Sequence, residues 1–394
     1  MMNVRNIIDR IKPTFEKGGK LAFLHSTFDA FETFMFVPAT TTKRGAHVRD
    51  CVDIKRVMII MVLALIPAFL FGTWNIGYQH NIAFGLGWGF WQTFGYGLVK
   101  IIPLYLVTYL VGLGIEFTSA QLRGHEVNEG YLVTGFILPL IVPVDVPLWM
   151  LAIATAFAVI IGKEVFGGTG MNIWNPALIA RAFLFFSYPS KMSGDSVWVG
   201  GVSRFTETGN AWASAGHGLV DGFSGATPLA NASMSGLAEH GYSALNMFLG
   251  TVPGSVGETS VIAILLGAAL LLLTGVASWK IMLSSVAGGL LVGWLGFIGG
   301  ATDIPCWYHL IMGGFLFGTV FMATDPVTSC QTECGKWIYG FLVGALAVVV
   351  RLFNPGYAEG MMLAILLGNT FAPLIDHCVI SASIRRNARK GRTA

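Results

Sequence analysis

A threonine set among small residues is the most accessible nucleophile in this sequence. Residues 221–227 read Asp221-Gly222-Phe223-Ser224-Gly225-Ala226-Thr227, and Pro228 follows. Gly222 and Gly225 let the backbone extend or turn tightly, so the Thr227 hydroxyl stands with little steric cover. Read for chemistry, it is an exposed nucleophile. Read on its own, the stretch is an Asp-Gly turn in a polar loop. Other residues offer different chemistry. Asp376 lies beside His377 within the last apolar run. A carboxylate at that depth is either a functional group or a polar contact between helices. Asp325, with Thr324 and Thr328, forms an oxygen-rich patch suited to a hard cation, or else caps a restarting helix. Lys163 and Glu164 precede a Gly-rich break that leads to Asn172 and Asn175-Pro176. A half-helix starting there points free N–H groups at an anionic or polar ring edge. The plainer reading is a Lys–Glu surface pair and a helix cap. Five cysteines (Cys51, Cys306, Cys330, Cys334 and Cys378) include no Cys-x-x-Cys, and no second pair complements Cys330 and Cys334. They read as packing residues, and no disulfide framework is implied.

These groups must be positioned by apolar elements. Of the 394 residues, 54% are hydrophobic and 11% charged, and the mean hydropathy is +0.67. Soluble domains carry about 25% charged residues, so the chain belongs in a bilayer. The net charge of +3 comes from basic residues in the tails and short loops, which argues against nucleic-acid binding. Ten spans are expected, at 57–77, 98–118, 131–143, 147–163, 173–188, 259–277, 281–299, 308–323, 337–353 and 360–378. Several fall short of the roughly 20 residues a bilayer requires, and the third, fifth and eighth are the weak ones, interrupted by Gly and Pro. The stretch 82–97, with Trp88 and Trp91, is expected at the outer interface. Basic residues flank both ends of the chain, from Lys43 to Arg56 and from Arg385 to Arg392. Both termini are therefore expected in the cytoplasm and the loop with Thr227 outside. The expected organisation is a cytoplasmic segment (1–55), a five-helix repeat (56–188), an external loop (189–258), a second five-helix repeat (259–379) and a basic tail (380–394). Asp145-Val146-Pro147-Leu148-Trp149 echoes Asp303-Ile304-Pro305-Cys306-Trp307. Five spans per half would set the halves in opposite orientations, as in transporters. The fold class is thus an all-α integral membrane protein of about ten transmembrane helices in two inverted repeats.

Longer motifs narrow the reading. They are His47-Val48-Arg49-Asp50, residues 125–130 (His-Glu-Val-Asn-Glu-Gly), residues 163–170 (Lys-Glu-Val-Phe-Gly-Gly-Thr-Gly), Asn175-Pro176-Ala177, residues 323–327 (Ala-Thr-Asp-Pro-Val) and Glu359-Gly360-Met361-Met362. With residues 221–227, the chain resembles the B-subunit family of bacterial sodium-translocating NADH:quinone oxidoreductases, whose nearest relatives are the D subunits of Rnf complexes. The resemblance implies flavin mononucleotide (FMN) joined by a phosphoester to Thr227, within a motif of Asp221, Gly222, Ser224, Gly225 and Ala226, attached by a flavin transferase. It implies non-covalent riboflavin, for which Lys163, Glu164, Asn172 and Asn175 are the candidate contacts. It implies ubiquinone at a Gly-rich segment matching Gly112 and Gly114, and sodium uptake at Glu116, with Asp325 and Asp376 as further candidates on the ion path. Leu113 departs from the family's Gly-Gly pair, which alters the fine geometry of that pocket. The implied setting is a six-subunit inner-membrane complex in which another subunit oxidises NADH. Without these motifs, the same plan of spans also fits a solute transporter.

Overall fold

The computed structural model describes residues 4–15, 28, 32, 42, 44–46, 54–123, 130–193, 197–201, 225–230, 232–354 and 359–393. Among these residues every regular element is helical, as long apolar runs in a bilayer require. Helix α1 (Val4–Phe15) is amphipathic. It is held to the segment after it by a Phe15–Phe28 stack at 4.6 Å and a Lys12–Glu32 pair at 2.8 Å. The remaining helices are α2 (Ile54–Phe84), α3 (Phe90–Arg123), α4 (Tyr131–Ile141), α5 (Leu148–Gly162), α6 (Pro176–Ser187), α7 (Val261–Leu273), α8 (Trp279–Ile298), α9 (Glu333–Phe353) and α10 (Met361–Thr393). Six stretches are long and apolar enough to cross a membrane, and α4, α6 and α7 are shorter apolar helices. A broken run, with short helices Tyr308–Ile311 and Phe315–Phe317 and a π-turn Gly318–Met322, lies between α8 and α9.

Helices α2 and α3 are longer than the apolar runs that announce them. Residues 82–97 hold the ends of both, joined over 85–89, where Gly85 and Gly87 adopt φ of 61° and 66°. Hydropathy falls before the helices end because their polar groups find partners within the protein. Asn75 Nδ2 donates to the Val252 carbonyl at 3.0 Å, and His80 Nδ1 meets the Gly200 carbonyl at 2.7 Å. The helix therefore continues where the apolar pattern stops.

The halves share part of their packing order. The second helix of each lies on the fourth and the fourth on the fifth: α3 on α5 and α5 on α6, then α8 on α9 and α9 on α10. The two first helices, α2 and α7, pack against each other. Close approach of α8 and α9 depends on Gly344, where a Cβ would strike the Ser285 carbonyl. The pentapeptide echo does not mark equivalent positions. Its copies precede the fourth and eighth of the expected spans, whereas equivalent spans of a five-helix repeat are five apart.

Candidate functional site

The two chain breaks meet. Helix α5 ends at Gly162, a 3-10 turn (Glu164–Phe166) follows, and Gly167, Gly168 and Gly170 adopt φ of 117°, 98° and 92°. Asn175 then caps α6 by accepting from Ala177 N at 3.0 Å, with Pro176 at the first helical position. Lys163, Thr169, Asn172 and Asn175 from this break, and Thr324, Asp325, Pro326 and Val327 from the other, line one cavity of about 700 Å³ including open solvent. Thr169 Oγ1 is buried there without a hydrogen-bond partner among the described residues.

Lys163 and Glu164 do not pair with each other. Lys163, 3% exposed, binds Glu116, 4% exposed, while Glu164 accepts from Ser119 Oγ at 2.5 Å and lies 3.5 Å from Arg123. Lys163 therefore joins the cavity to Glu116. The second carboxylate oxygen of Glu116 is buried without a hydrogen-bond partner among the described residues.

Gly112 and Gly114 face different ways. Gly112 is covered by the Tyr131 ring, whereas Gly114 meets nothing within 4 Å. Gly114 opens on an apolar groove lined by Phe69, Tyr105, Tyr109, Leu113, Phe117 and Phe136. Gly112 and Glu116, four residues apart, share the buried side of α3.

Asp325 and Asp376 grip one loop from its two ends. Asp325 accepts from Val327 N at 3.2 Å and Thr328 Oγ1 at 3.0 Å. Asp376 accepts from Gln331 N at 2.7 Å and from Thr332 N and Oγ1 at 3.0 and 2.5 Å. Glu116 lies apart from both, bound to Lys163 within the first half, and no group of three candidate metal ligands occurs among the described residues.

Thr227 lies in a second cleft, of about 910 Å³ including open solvent, with Phe185, Trp198, Ser255 and Met312 among its walls. Ala230 N donates to Thr227 Oγ1 at 3.2 Å, and Tyr242 Oη donates to the Ala226 carbonyl at 2.7 Å. Gly225 and Ala226 are buried, while Asp221, Gly222 and Ser224 lie outside the described residues. Three further lining residues are charged. Arg181 donates to Glu258 at 2.8 Å and contacts the Glu359 carboxylate at 2.5 Å. Ser255 Oγ donates to Glu258. Arg351 donates to the carbonyls of His309, Met312 and Glu359. Burial pushes the Glu359 carboxyl up to about 7; Glu258 adds to the rise, while Arg181 and Arg351 oppose it. The sequence reading missed Arg181, Glu258 and Glu359 as site residues. The available signal was an arginine inside the fifth apolar span, where an ionisable residue marks function by default.

Helix α6 joins the cavities. Asn175 lines the first, and Arg181 and Phe185 line the second. At ~1.5 Å per residue, Asn175 and Phe185 are about 15 Å apart along the axis.

Residues 41–385 match the family model described as "NQR2, RnfD, RnfE family". The chain is similar to the B subunit of the Na(+)-translocating NADH-quinone reductase of Chromohalobacter salexigens, with 44% identity over 99% of this chain and 97% of that protein. The proteins of the same name from Ectopseudomonas mendocina and Pseudomonas aeruginosa are each 43% identical. The first covers 98% of both chains, and the second covers 99% of this chain and 100% of its own.

Proposed function

Because this chain belongs to the NQR2, RnfD, RnfE family, we propose that it is a membrane subunit of a sodium-translocating NADH:quinone reductase, relaying electrons from FMN on Thr227 by way of riboflavin to ubiquinone while sodium is exported. The observation that carries this reading is the position of Thr227 in a cleft with a buried Arg181 and aromatic walls. Bound flavins would supply one-electron chemistry; the protein supplies position and field.

The residues present fit such groups. Thr227 offers a half-buried hydroxyl on backbone fixed at Ala226 and Ala230. Phe185 and Trp198 supply apolar walls, and Arg181 supplies charge. For riboflavin, Lys163, Asn172, Asn175 and an unpartnered Thr169 hydroxyl supply polar groups in a largely apolar cavity, suited to a neutral ring's carbonyls and nitrogens and to its apolar faces. Glu164 stands behind that lining, on Ser119 and Arg123. The groove at Gly114 suits the apolar tail of ubiquinone, with Gly112 and Glu116 on the buried side of the same helix. Glu116, Asp325 and Asp376 are the proposed acidic residues of the sodium path. The proposed setting is a six-subunit complex in the bacterial inner membrane, with both termini cytoplasmic and Thr227 periplasmic. A flavin transferase would act on the loop that includes Asp221, Gly222 and Ser224.

The test is direct. On a denaturing gel the wild-type subunit should fluoresce under ultraviolet light and weigh one FMN more than its amino acids. Thr227→Ala should lose both signals while the complex still assembles. A fluorescent band retained in that variant removes Thr227 from the account.

A further inference from the structure

The Thr227 cleft carries a charged group that its attachment chemistry does not explain. Arg181 sits within an apolar helix, 5% exposed, and its two carboxylate partners lie later in the chain, Glu258 just before α7 and Glu359 just before α10. All three line the cleft with Thr227. Tying the halves together does not require ions. Apolar residues of similar volume commonly replace buried ion pairs without loss of stability, and a charge in a bilayer-spanning segment is costly. What fixed charges do beside a cleft is set the local potential. Withdrawn from water, they act through a low effective dielectric and are felt strongly by any group that changes charge nearby.

The group that would change charge is a flavin ring gaining an electron. We propose that Arg181, held between Glu258 and Glu359, is the electrostatic floor of this cleft and sets how readily a flavin carried on Thr227 is reduced. The inference rests on the flavin-attachment reading above. One electron enters the ring from a one-electron donor, no bond to the protein forms or breaks, and the phosphoester remains intact. The guanidinium favours the added negative charge, and each carboxylate opposes it. Ser255 holds Glu258 from the cleft side, and Arg351 holds the Glu359 backbone from α9. The orientation of both carboxylates is therefore built in.

The test is an optical redox titration of the purified complex at pH 8.5. The covalent flavin is isolated as the difference from the Thr227→Val complex, and a fluorescent gel band reports attachment. Glu258→Gln and Glu359→Gln should each make that flavin easier to reduce by about tenfold, the size of effect of a unit charge at about 10 Å through an effective dielectric near 20. For one electron that is about 59 mV. Arg181→Gln should shift the midpoint the other way. Opposite shifts from opposite charge changes are a signature that loosened packing does not produce. The two Glu→Gln variants carry the test if Arg181→Gln does not assemble. A fluorescent band with midpoints unmoved, or lowered by the Glu→Gln changes, overturns the proposal. A wild-type protein without the band overturns the attachment reading instead.

Discussion

At the scale of single residues, Lys163 and Glu116 are each other's buried counter-charge. Thr227 could be singled out because its neighbours in the chain determine its accessibility. Lys163 was harder to read. Its sequence neighbour Glu164 is an acid, but adjacent residues on a helical turn do not face each other, and its partner is Glu116, 47 positions away. Both side chains are almost wholly buried, so removing one strands the other. Lys163→Met should cost the fold about 3–5 kcal/mol of stability, and Lys163→Met with Glu116→Gln should recover most of that loss. Thermal melting of the purified complex checks both variants. If Glu116 also serves quinone or sodium, the double variant should melt nearly as the wild type does yet reduce quinone poorly. Equal recovery of activity would make the pair structural only.

At the scale of elements, the breaks do the positioning. Residues 167–175 and 322–327 interrupt helices whose apolar patterns would otherwise continue, and both bring polar side chains to one cavity. Gly and Pro announced where the breaks fall; that they meet depends on packing between the halves. Asp376 illustrates the limit of reading depth from hydropathy. It sits within a long helix, yet its carboxylate reaches the start of α9 and binds Gln331 and Thr332 there. The cap and a role on the sodium path make separable demands. Asp376→Asn retains an oxygen that accepts from the backbone but loses the charge, whereas Asp376→Ala loses both. We expect Asp376→Ala to lower stability by about 1 kcal/mol, as for other lost caps, and Asp376→Asn to melt near the wild type. Both should weaken the sodium dependence of quinone reduction. A sodium titration of Asp376→Asn that overlays the wild type would leave the residue as a cap alone.

At the scale of the whole molecule, the apolar helices were legible because a bilayer favours length and apolarity, six of them being long enough to cross one, while the ties between halves were not. On one side Trp174 Nε1 donates to Thr370 Oγ1 at 2.9 Å. In the Thr227 cleft, Arg181 of the first half holds Glu359 of the second and Glu258 of the segment before α7. The second tie should make stability depend on pH. Burial raises the Glu359 carboxyl from an ordinary value near 4.5 to about 7, with Glu258 adding to the rise and Arg181 and Arg351 opposing it. An acid whose folded value is raised stabilises the fold while protonated. Its contribution is complete below about pH 4.5, declines as pH rises, and is gone above about 7. Glu359→Gln mimics the protonated form at every pH and should not show that decline. The two proteins should melt alike at pH 5, and the variant should melt higher by roughly a few degrees at pH 7.5. Parallel melting curves across that interval would mean that Arg181 holds Glu359 ionised throughout, and that this tie between the halves is insensitive to pH.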